Sequence, residues 1–281
     1  MVEKEKIMGK TKLFKIVVLA IAILLVSASA AFAAESMSYA FEVKFLLDPD
    51  KVLDADHVPV KDLQDLFAVK KTNQRVVSYV DSADRKFDNG GWTNRLREKE
   101  GKKNIELAYK KRYAIEGTDI AGALEKAIKD NPRITDGRYE AEIDWGYEKM
   151  TLSLTAEVKI DKPAGGLKGM SDADIISTTL ANMPQDEAGW MFAKFKSSKI
   201  ANARIAGPVD LIRYTGSYKD VEIDIEVWNV KGNYIAEISF ESDDMETASA
   251  LRTEIMGILE GKGILQHKDA HKTQLILDAY L

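Results

Sequence analysis

Positively charged side chains recur two positions apart in the segment NRLREKEGKKNIELAYKK, residues 94–111. Arg95 and Arg97 share one face of a predicted strand, and Lys110 follows on the next predicted strand. Guanidinium and ammonium groups neutralise phosphate oxygens through charge-assisted hydrogen bonds. The pattern therefore predicts either a solvated sheet face or a binding site for a polyanion.

Carboxylates repeat at the same two-residue spacing in other segments. Glu140 and Glu142 occur in GRYEAEIDW, and Glu237 occurs in NYIAEISFES. The segment YAFEVKFLL adds Glu42 and Lys44 on one face. Carboxylate oxygens are the ligands that Mg²⁺ and Mn²⁺ prefer. Cations and acids on neighbouring strands would therefore fit a polyanion together with a divalent metal ion.

Alternation of apolar and polar residues dominates the chain and predicts about eight half-buried strands. The clearest segments with this alternation, nine in all, are residues 39–47, 74–82, 92–100, 104–113, 137–146, 149–160, 209–217, 220–229 and 233–242. In each of them the charged residues fall on one face and the apolar residues on the other. The elements that position the charged side chains are therefore the strands of a sheet.

Helical spacing of apolar residues occurs only between these groups of strands. The pattern predicts helices within residues 117–130, 171–199 and 245–261. Asp119 lies near the start of the first helix, Asn131-Pro132 ends it, and Asp243 and Asp244 precede the third. Residues 162–169, KPAGGLKG, are interpreted as a loop.

Two arrangements of such a sheet remain open from the pattern alone. In the first, the charged faces are solvated and helices cover the apolar faces of an ordinary antiparallel sheet. In the second, the sheet closes into a barrel with its charged faces inward and helices packed outside. A lumen lined by both signs of charge is stable only when it is hydrated or holds a complementary ligand.

The order of short motifs resembles the CYTH, or triphosphate tunnel metalloenzyme, superfamily. The motifs are FEVKF, YVDSADRKF, RLREKE, ELAYKK, RYEAEID, RYTG and GNYIAEISFE, and the resemblance covers residues 39–281. It implies an α+β fold with a closed eight-stranded antiparallel β tunnel and helices packed outside. Members of the superfamily include inorganic triphosphatases, thiamine triphosphatases, class IV adenylate cyclases and RNA triphosphatases.

The resemblance also implies roles for individual residues. The implied substrate-binding residues are Arg95, Arg97, Lys110, Arg138 and Arg213. The implied metal ligands are Glu42, Glu140, Glu142 and Glu237, and the implied catalytic residues are Glu42 and Lys44. Ala40 and Ser239 stand where the superfamily has acidic residues.

The implied activity is that of a Mg²⁺- or Mn²⁺-dependent phosphohydrolase. Its substrate would be inorganic triphosphate or a similar short polyphosphate or organic triphosphate, and its expected partner is a small polyanion such as tripolyphosphate. Because two acids are missing, a second hypothesis is a non-catalytic protein that binds polyphosphate or phosphate esters. A third hypothesis, an unrelated exported β protein that carries a sugar or lipid, requires an apolar interior.

The N-terminal residues indicate export. Lysines precede an apolar run over residues 16–26, and small residues at Ala31 and Ala33 predict a signal peptide, residues 1–33, that is cleaved after Ala33. A retained N-terminal anchor is the alternative. The remaining residues, 34–281, would form one tunnel domain in the periplasm. No later segment resembles a membrane span, so no stable membrane insertion is expected after removal of the leader.

Composition excludes some classes of protein. The chain has no cysteine, so an exported fold is held by its core without disulfides. The formal net charge is −5 and becomes more negative when the basic leader is removed. This balance argues against a nucleic-acid-binding protein that relies on bulk attraction. Oligomeric state cannot be inferred from the sequence.

Overall fold

The computed structural model describes residues 37–184, 202–269 and 271–281. The predicted signal peptide, residues 1–33, lies outside the described residues. The second half of the helix predicted over residues 171–199 also lies outside them.

Nine strands in the described ranges form one closed barrel with helices around it, which makes the fold α+β. The strands are β1 (Tyr39–Leu47), β2 (Lys71–Ser82), β3 (Trp92–Lys99), β4 (Asn104–Ala114), β5 (Glu140–Trp145), β6 (Met150–Asp161), β7 (Ala203–Tyr218), β8 (Val221–Val230) and β9 (Asn233–Ser242). Their order around the barrel is β1-β5-β6-β4-β3-β2-β7-β8-β9, and β9 pairs with β1.

The prediction of eight strands, all antiparallel, is wrong in strand number and in one pairing. The described barrel has nine strands, and β1 pairs with β5 in parallel, with Glu42 opposite Asp144. Between β4 and β5 the chain runs through a helix, so it can return to the sheet in the same direction as β1. Two-residue alternation is the same for parallel and antiparallel strands that bury one face, and the sequence pattern therefore did not distinguish them.

Seven α-helices in the described ranges connect or cover the strands. They are α1 (Pro49–Val52), α2 (Lys61–Leu66), α3 (Lys86–Asn89), α4 (Ile120–Asp130), α5 (Asp172–Ala181), α6 (Met245–Gly261) and α7 (Lys272–Tyr280). No helix within the described residues is long and apolar enough to cross a membrane.

The predicted helix starts correspond to side-chain caps. The carboxylate of Asp119 accepts a hydrogen bond from the backbone N–H of Gly122 at 2.9 Å at the start of α4. The carboxylate of Asp244 accepts one from the N–H of Thr247 at 2.8 Å at the start of α6. Helix α5 begins at the predicted position, after Ser171. Helix α7 was not predicted.

The main hydrophobic core lies outside the barrel, between strands and helices. On β1, Phe41, Val43 and Phe45 are buried in a cluster that includes apolar residues of α4 and α6. Glu42 and Lys44 point the other way and line a cavity inside the barrel. Two-residue alternation places the charged faces of the other strands inward in the same way. The lumen is therefore polar at its centre, as the second of the two predicted arrangements requires.

Candidate active site in the barrel lumen

The lumen contains a cavity of about 330 Å³, which is lined by charged side chains from six strands and from the C-terminal segment. The charged lining residues of the strands are Glu42 and Lys44 on β1, Arg95 and Arg97 on β3, Lys110 and Arg112 on β4, Asp144 on β5, Glu226 on β8 and Glu237 on β9. The C-terminal segment adds Lys268, Asp269, His271 and Lys272.

Arg95 points into this cavity without a counter-ion. Its guanidinium makes no ion pair with any described residue, and its Nε atom is buried without a hydrogen-bond partner within the described ranges. Burial, and next the charge of Arg97, lower the pKa of Arg95. A buried cation with unused donors is costly unless an anion binds to it. Arg95 therefore marks the position where the lumen lacks negative charge.

Arg97, in contrast, is partly neutralised by the protein. Its Nε and Nη2 atoms donate hydrogen bonds of 2.9 and 2.8 Å to the same carboxylate oxygen of Glu106. Lys99 lies 2.7 Å from the second oxygen of Glu106. Burial would raise the pKa of Glu106, but its hydrogen bond from Lys99 and the charge of Arg97 outweigh burial and lower it. Two cations share one acid here, so this group keeps an excess of positive charge.

Three carboxylates converge near the middle of the lumen. One oxygen from each of Glu42, Glu142 and Asp144 lies within 4.8 Å of the other two. Lys44 Nζ contacts Glu42 and lies 2.8 Å from Asp144 Oδ1, and Lys110 Nζ lies 3.1 Å from Glu142 Oε2. Carboxylate oxygens at this spacing fit a hard divalent cation. The cluster could therefore hold Mg²⁺ or Mn²⁺, in competition with the two lysines.

The pKa values of these acids show that the cluster is crowded with negative charge. Burial, and the charges of Glu42 and Asp144, raise the pKa of Glu142 to about 7 even though Lys110 opposes the shift. Burial would raise the pKa of Asp144 as well, but Lys110 and Lys44 outweigh burial and hold it well below the usual range. An added divalent cation would relieve the repulsion among the three acids.

A second pair of acids is neutralised by the C-terminal helix. Lys272 Nζ lies 2.5 Å from Glu226 Oε2 and 2.5 Å from Glu237 Oε1. Arg75 Nη1 lies 3.5 Å from the other oxygen of Glu226. All four side chains are at most 18% exposed. These four side chains therefore form a buried network in which the charges pair with one another and need no ligand.

No protein-family model matches the chain, and no curated protein matches it. A candidate adenylyl cyclase from Hippeastrum, described as having a dominant triphosphatase activity, matches with a TM-score of 0.54 and 15% identity over 87% of this chain and 97% of its own. A candidate adenylate cyclase from Bacillus halodurans matches with a TM-score of 0.50 and 16% identity over 85% and 97%.

The chain has the CYTH fold. The resemblance that the order of motifs indicated is thereby confirmed at the level of the fold. At 15–16% identity the similarity shows the fold alone, and the chemistry of this barrel depends on its own side chains.

The CYTH barrel brings most of the predicted site residues together. The predicted residues that line the cavity are Glu42, Lys44, Arg95, Arg97, Lys110 and Glu237. Glu142 joins them through Lys110 and the three-carboxylate cluster. Arg213 lies on the lumen side of β7, where it contacts Asp224.

Two predicted site residues lie away from the cavity. Arg138 precedes β5 and is 46% exposed, with its Nη2 atom 4.0 Å from Asp136 Oδ2. Glu140 is the first residue of β5 and is exposed. Both have the strand parity of Glu142, but Arg138 precedes β5 and Glu140 lies at its exposed first position, paired with Thr155. The two-residue alternation identifies which residues share one face of a strand. It does not show which of those residues lie inside the barrel.

Several lumen residues were not predicted as site residues. Asp144 continues the row of Glu140 and Glu142, and Arg112 continues the row of Lys110, so extending each alternation by two residues would have found them. Glu226 belongs to an acidic row on β8. Lys272 lies on a short helix after the last strand, and no sequence pattern indicated its place in the lumen.

Proposed function

We propose that this protein is a Mg²⁺- or Mn²⁺-dependent phosphohydrolase that cleaves inorganic triphosphate or a similar short polyphosphate inside the barrel. The observation that carries the proposal is the guanidinium of Arg95, which makes no ion pair with any described residue and faces the same cavity as Glu42 and Asp144. A polyanion would neutralise the charge of Arg95, and a divalent cation would neutralise the charges of the acids. The two ligands together therefore balance the charges of the lumen better than either one alone.

The cations of the lumen would bind the phosphate groups and stabilise charge in the transition state. Arg95, Arg97 and Lys110 line one continuous region of the cavity on neighbouring strands β3 and β4. In the proposed reaction a water oxygen bonds to a terminal phosphorus, and the P–O bond to the bridging oxygen breaks. Negative charge grows on the leaving oxygen, and preorganised cations lower the energy of that state.

The acids Glu42, Glu142 and Asp144 would hold the metal ion. When bound, a divalent cation neutralises phosphate oxygens and polarises the attacking water. Lys44, between Glu42 and Asp144, would stay close enough to contact a phosphate oxygen. The triphosphatase activity named for the Hippeastrum protein of the same fold supports this choice of reaction.

Binding without hydrolysis is the second candidate function. Lys44 and Lys110 already neutralise much of the acid cluster. Ala40 and Ser239, where the superfamily has acids, provide no carboxylate. With fewer metal ligands, the barrel would still bind a polyphosphate through Arg95 and its neighbours.

One experiment separates the two functions. Purified protein is incubated with tripolyphosphate and Mg²⁺ or Mn²⁺, and released phosphate is measured beside affinity by calorimetry. We expect release that stops in EDTA and is lost in Arg95→Ala but kept in the matched variant of an exposed arginine, Arg133→Ala. Binding without release would favour the second function. Absence of both would refute the proposal.

We also propose that the mature protein begins at residue 34 and acts outside the cytoplasm. The basic and apolar residues of positions 1–33 support this address. The N-terminal mass of protein purified from the periplasm tests it. An uncleaved N-terminus in the cytoplasm would contradict it.

A further inference from the structure

The acids that line the lumen form two groups. The first is the three-carboxylate cluster. The second is a pair, Glu226 on β8 and Glu237 on β9, which are neighbouring strands. Both groups contribute side chains to the lining of the same cavity. Because buried carboxylates repel one another and attract hard cations, either group could in principle take a divalent metal ion.

The ammonium group of Lys272 lies between the two acids of the second group. Its Nζ atom is 2.5 Å from Glu226 Oε2 and 2.5 Å from Glu237 Oε1, and it lies 4.9 Å from the centroid of the Trp228 ring. Trp228 Nε1 in turn donates a hydrogen bond of 3.2 Å to Glu226 Oε2. Two carboxylates and an aromatic face are groups that attract a cation. Lys272 therefore places a covalently attached charge where a free cation would bind.

Helix α7 holds Lys272 in this place. Lys272 is the first residue of the helix, and one turn later Ile276 and Leu277 are 0% and 2% exposed in a cluster with apolar residues of the barrel. Near the end of the helix, Lys231 Nζ donates a hydrogen bond of 2.7 Å to the carbonyl oxygen of Ala279. A metal ion that bound to the second group would have to displace Lys272 from its buried ion pairs, which is costly.

The first group has a different balance of charge. Its three carboxylates face two close ammonium groups. Lys44 Nζ lies 2.8 Å from Asp144 Oδ1, and Lys110 Nζ lies 3.1 Å from Glu142 Oε2. The guanidinium of Arg112 is farther away, with its Nε atom 4.0 Å from Asp144 Oδ2. The second group, in contrast, has two acids and two cations. A divalent ion is therefore attracted to the first group more strongly than to the second.

From this geometry we propose that Lys272 is a built-in cation that takes the place of a second divalent metal ion, so that the lumen binds one Mg²⁺ or Mn²⁺ ion and not two. The single metal ion binds at the three-carboxylate cluster. Lys272 neutralises the acids of β8 and β9 at any metal concentration, because it is part of the chain. This inference rests on the proposed function, since the metal ion that it counts is the one proposed for hydrolysis.

The number of bound Mn²⁺ ions tests the inference. Electron paramagnetic resonance of free Mn²⁺ gives this number when the purified protein is titrated. We expect one ion per wild-type chain and two per chain in Lys272→Ala, where Glu226 and Glu237 lose their cation and gain room for a metal ion. The second ion in this variant should bind at least ~100-fold more tightly than any further ion in wild type. Lys268→Ala, which removes an exposed cation of the same cavity, is the matched control and should bind one.

Glu237→Gln tests the inference in a chain that keeps Lys272 and its ion pair with Glu226. The resemblance to the superfamily implied Glu237 as a metal ligand, whereas the built-in cation excludes it from that role in wild type. We therefore expect Glu237→Gln to bind one Mn²⁺ ion with an affinity that differs from that of wild type by less than ~10-fold. The double variant Lys272→Ala/Glu237→Gln should return from two ions to one.

Several outcomes would overturn the inference and leave the proposed hydrolysis standing. These are two ions per wild-type chain, a larger loss of affinity in Glu237→Gln, or a folded Lys272→Ala that binds one ion. Thermal unfolding with and without Mn²⁺ shows whether Lys272→Ala is folded, and if it is not, the wild-type count and Glu237→Gln decide. Absence of Mn²⁺ binding to wild type would overturn the metal dependence of the proposed function as well. One bound ion without phosphate release would refute the hydrolysis alone.

Discussion

Lys272 Nζ lies 2.5 Å from Glu226 Oε2, and this ion pair joins the C-terminal helix to strand β8 inside the barrel. Burial would raise the pKa of Glu226, but the charges of Lys272, Arg75 and Arg213 outweigh burial and lower it to about 2. The carboxylate is therefore charged at every pH at which the protein is expected to work. Its ionisation is linked to the attachment of α7.

The first prediction concerns stability in acid. The pKa of Glu226 is 4.5 when unperturbed and about 2 in the folded protein, so the unfolded state binds a proton first as pH falls. The stabilisation is complete above pH 4.5 and is lost as pH falls toward 2. It amounts to about 3 kcal/mol, as an order of magnitude. Denaturant unfolding of wild type and Glu226→Gln from pH 7 to pH 3 measures it.

The difference in unfolding free energy between these two proteins isolates Glu226 from the other acids. We expect this difference to shrink steadily below pH 4.5. A difference that stays constant down to pH 3 would show that Lys272 does not hold the carboxylate in its charged form.

The second prediction concerns the cation of the same network. Lys272→Met removes the charge that Glu226 and Glu237 share while leaving both carboxylates buried. We expect a loss of about 3–5 kcal/mol of unfolding free energy, because breaking a buried pair leaves uncompensated charge. Thermal or urea unfolding at pH 7 measures it. Lys262→Met, at an exposed position, is the matched control and should change stability by less than about 0.5 kcal/mol.

The third prediction separates the two arginines of β3. Arg97→Ala deprives the buried Glu106 of one partner, so it should cost about 1–3 kcal/mol of stability. Arg95→Ala removes a buried charge that no described carboxylate neutralises, so stability should be equal or higher. Affinity for tripolyphosphate should fall by about 1.5–3 kcal/mol in Arg95→Ala. Unfolding curves and calorimetry give both quantities for each variant.

Equal destabilisation by both substitutions would mean that Arg95 has a structural partner. Unchanged affinity in Arg95→Ala would remove this residue from the binding site.

The fourth prediction concerns the metal-binding acids. Asp144→Asn removes a carboxylate of the three-acid cluster, and we expect Mn²⁺ to bind at least ~10-fold more weakly, about 1.4 kcal/mol. Glu140→Gln alters an exposed acid of β5 that is not part of that cluster and lies two residues before Glu142, so it should leave Mn²⁺ affinity unchanged. Electron paramagnetic resonance of free Mn²⁺ gives both affinities. Weaker Mn²⁺ binding in Glu140→Gln than in Asp144→Asn would contradict this prediction. It would identify Glu140, which the motif implied, as the metal ligand in place of Asp144.

Part of the site could be predicted because alternation is a local property of the chain. Arg95, Arg97 and Lys110 were assigned to one polar face from spacing alone, and all three line the cavity. Asp119 and Asp244 indicated the starts of α4 and α6 for the same reason, since a helix cap involves only neighbouring residues. Arg138, which the resemblance implied as a substrate-binding residue, is exposed and lies outside the cavity, because neither a motif nor an alternation shows where a strand becomes enclosed by the barrel.

The sequence by itself determined the strands, the caps and which face of each strand is charged, because these depend on residues two to four positions apart. Only the tertiary structure decided that β1 and β5 are parallel neighbours, that Asp144 completes the acid cluster, and that Lys272 reaches Glu226 from the end of the chain. These contacts join residues more than 40 positions apart. They exist because barrel closure brings nine strands around one axis, and no local pattern encodes that closure.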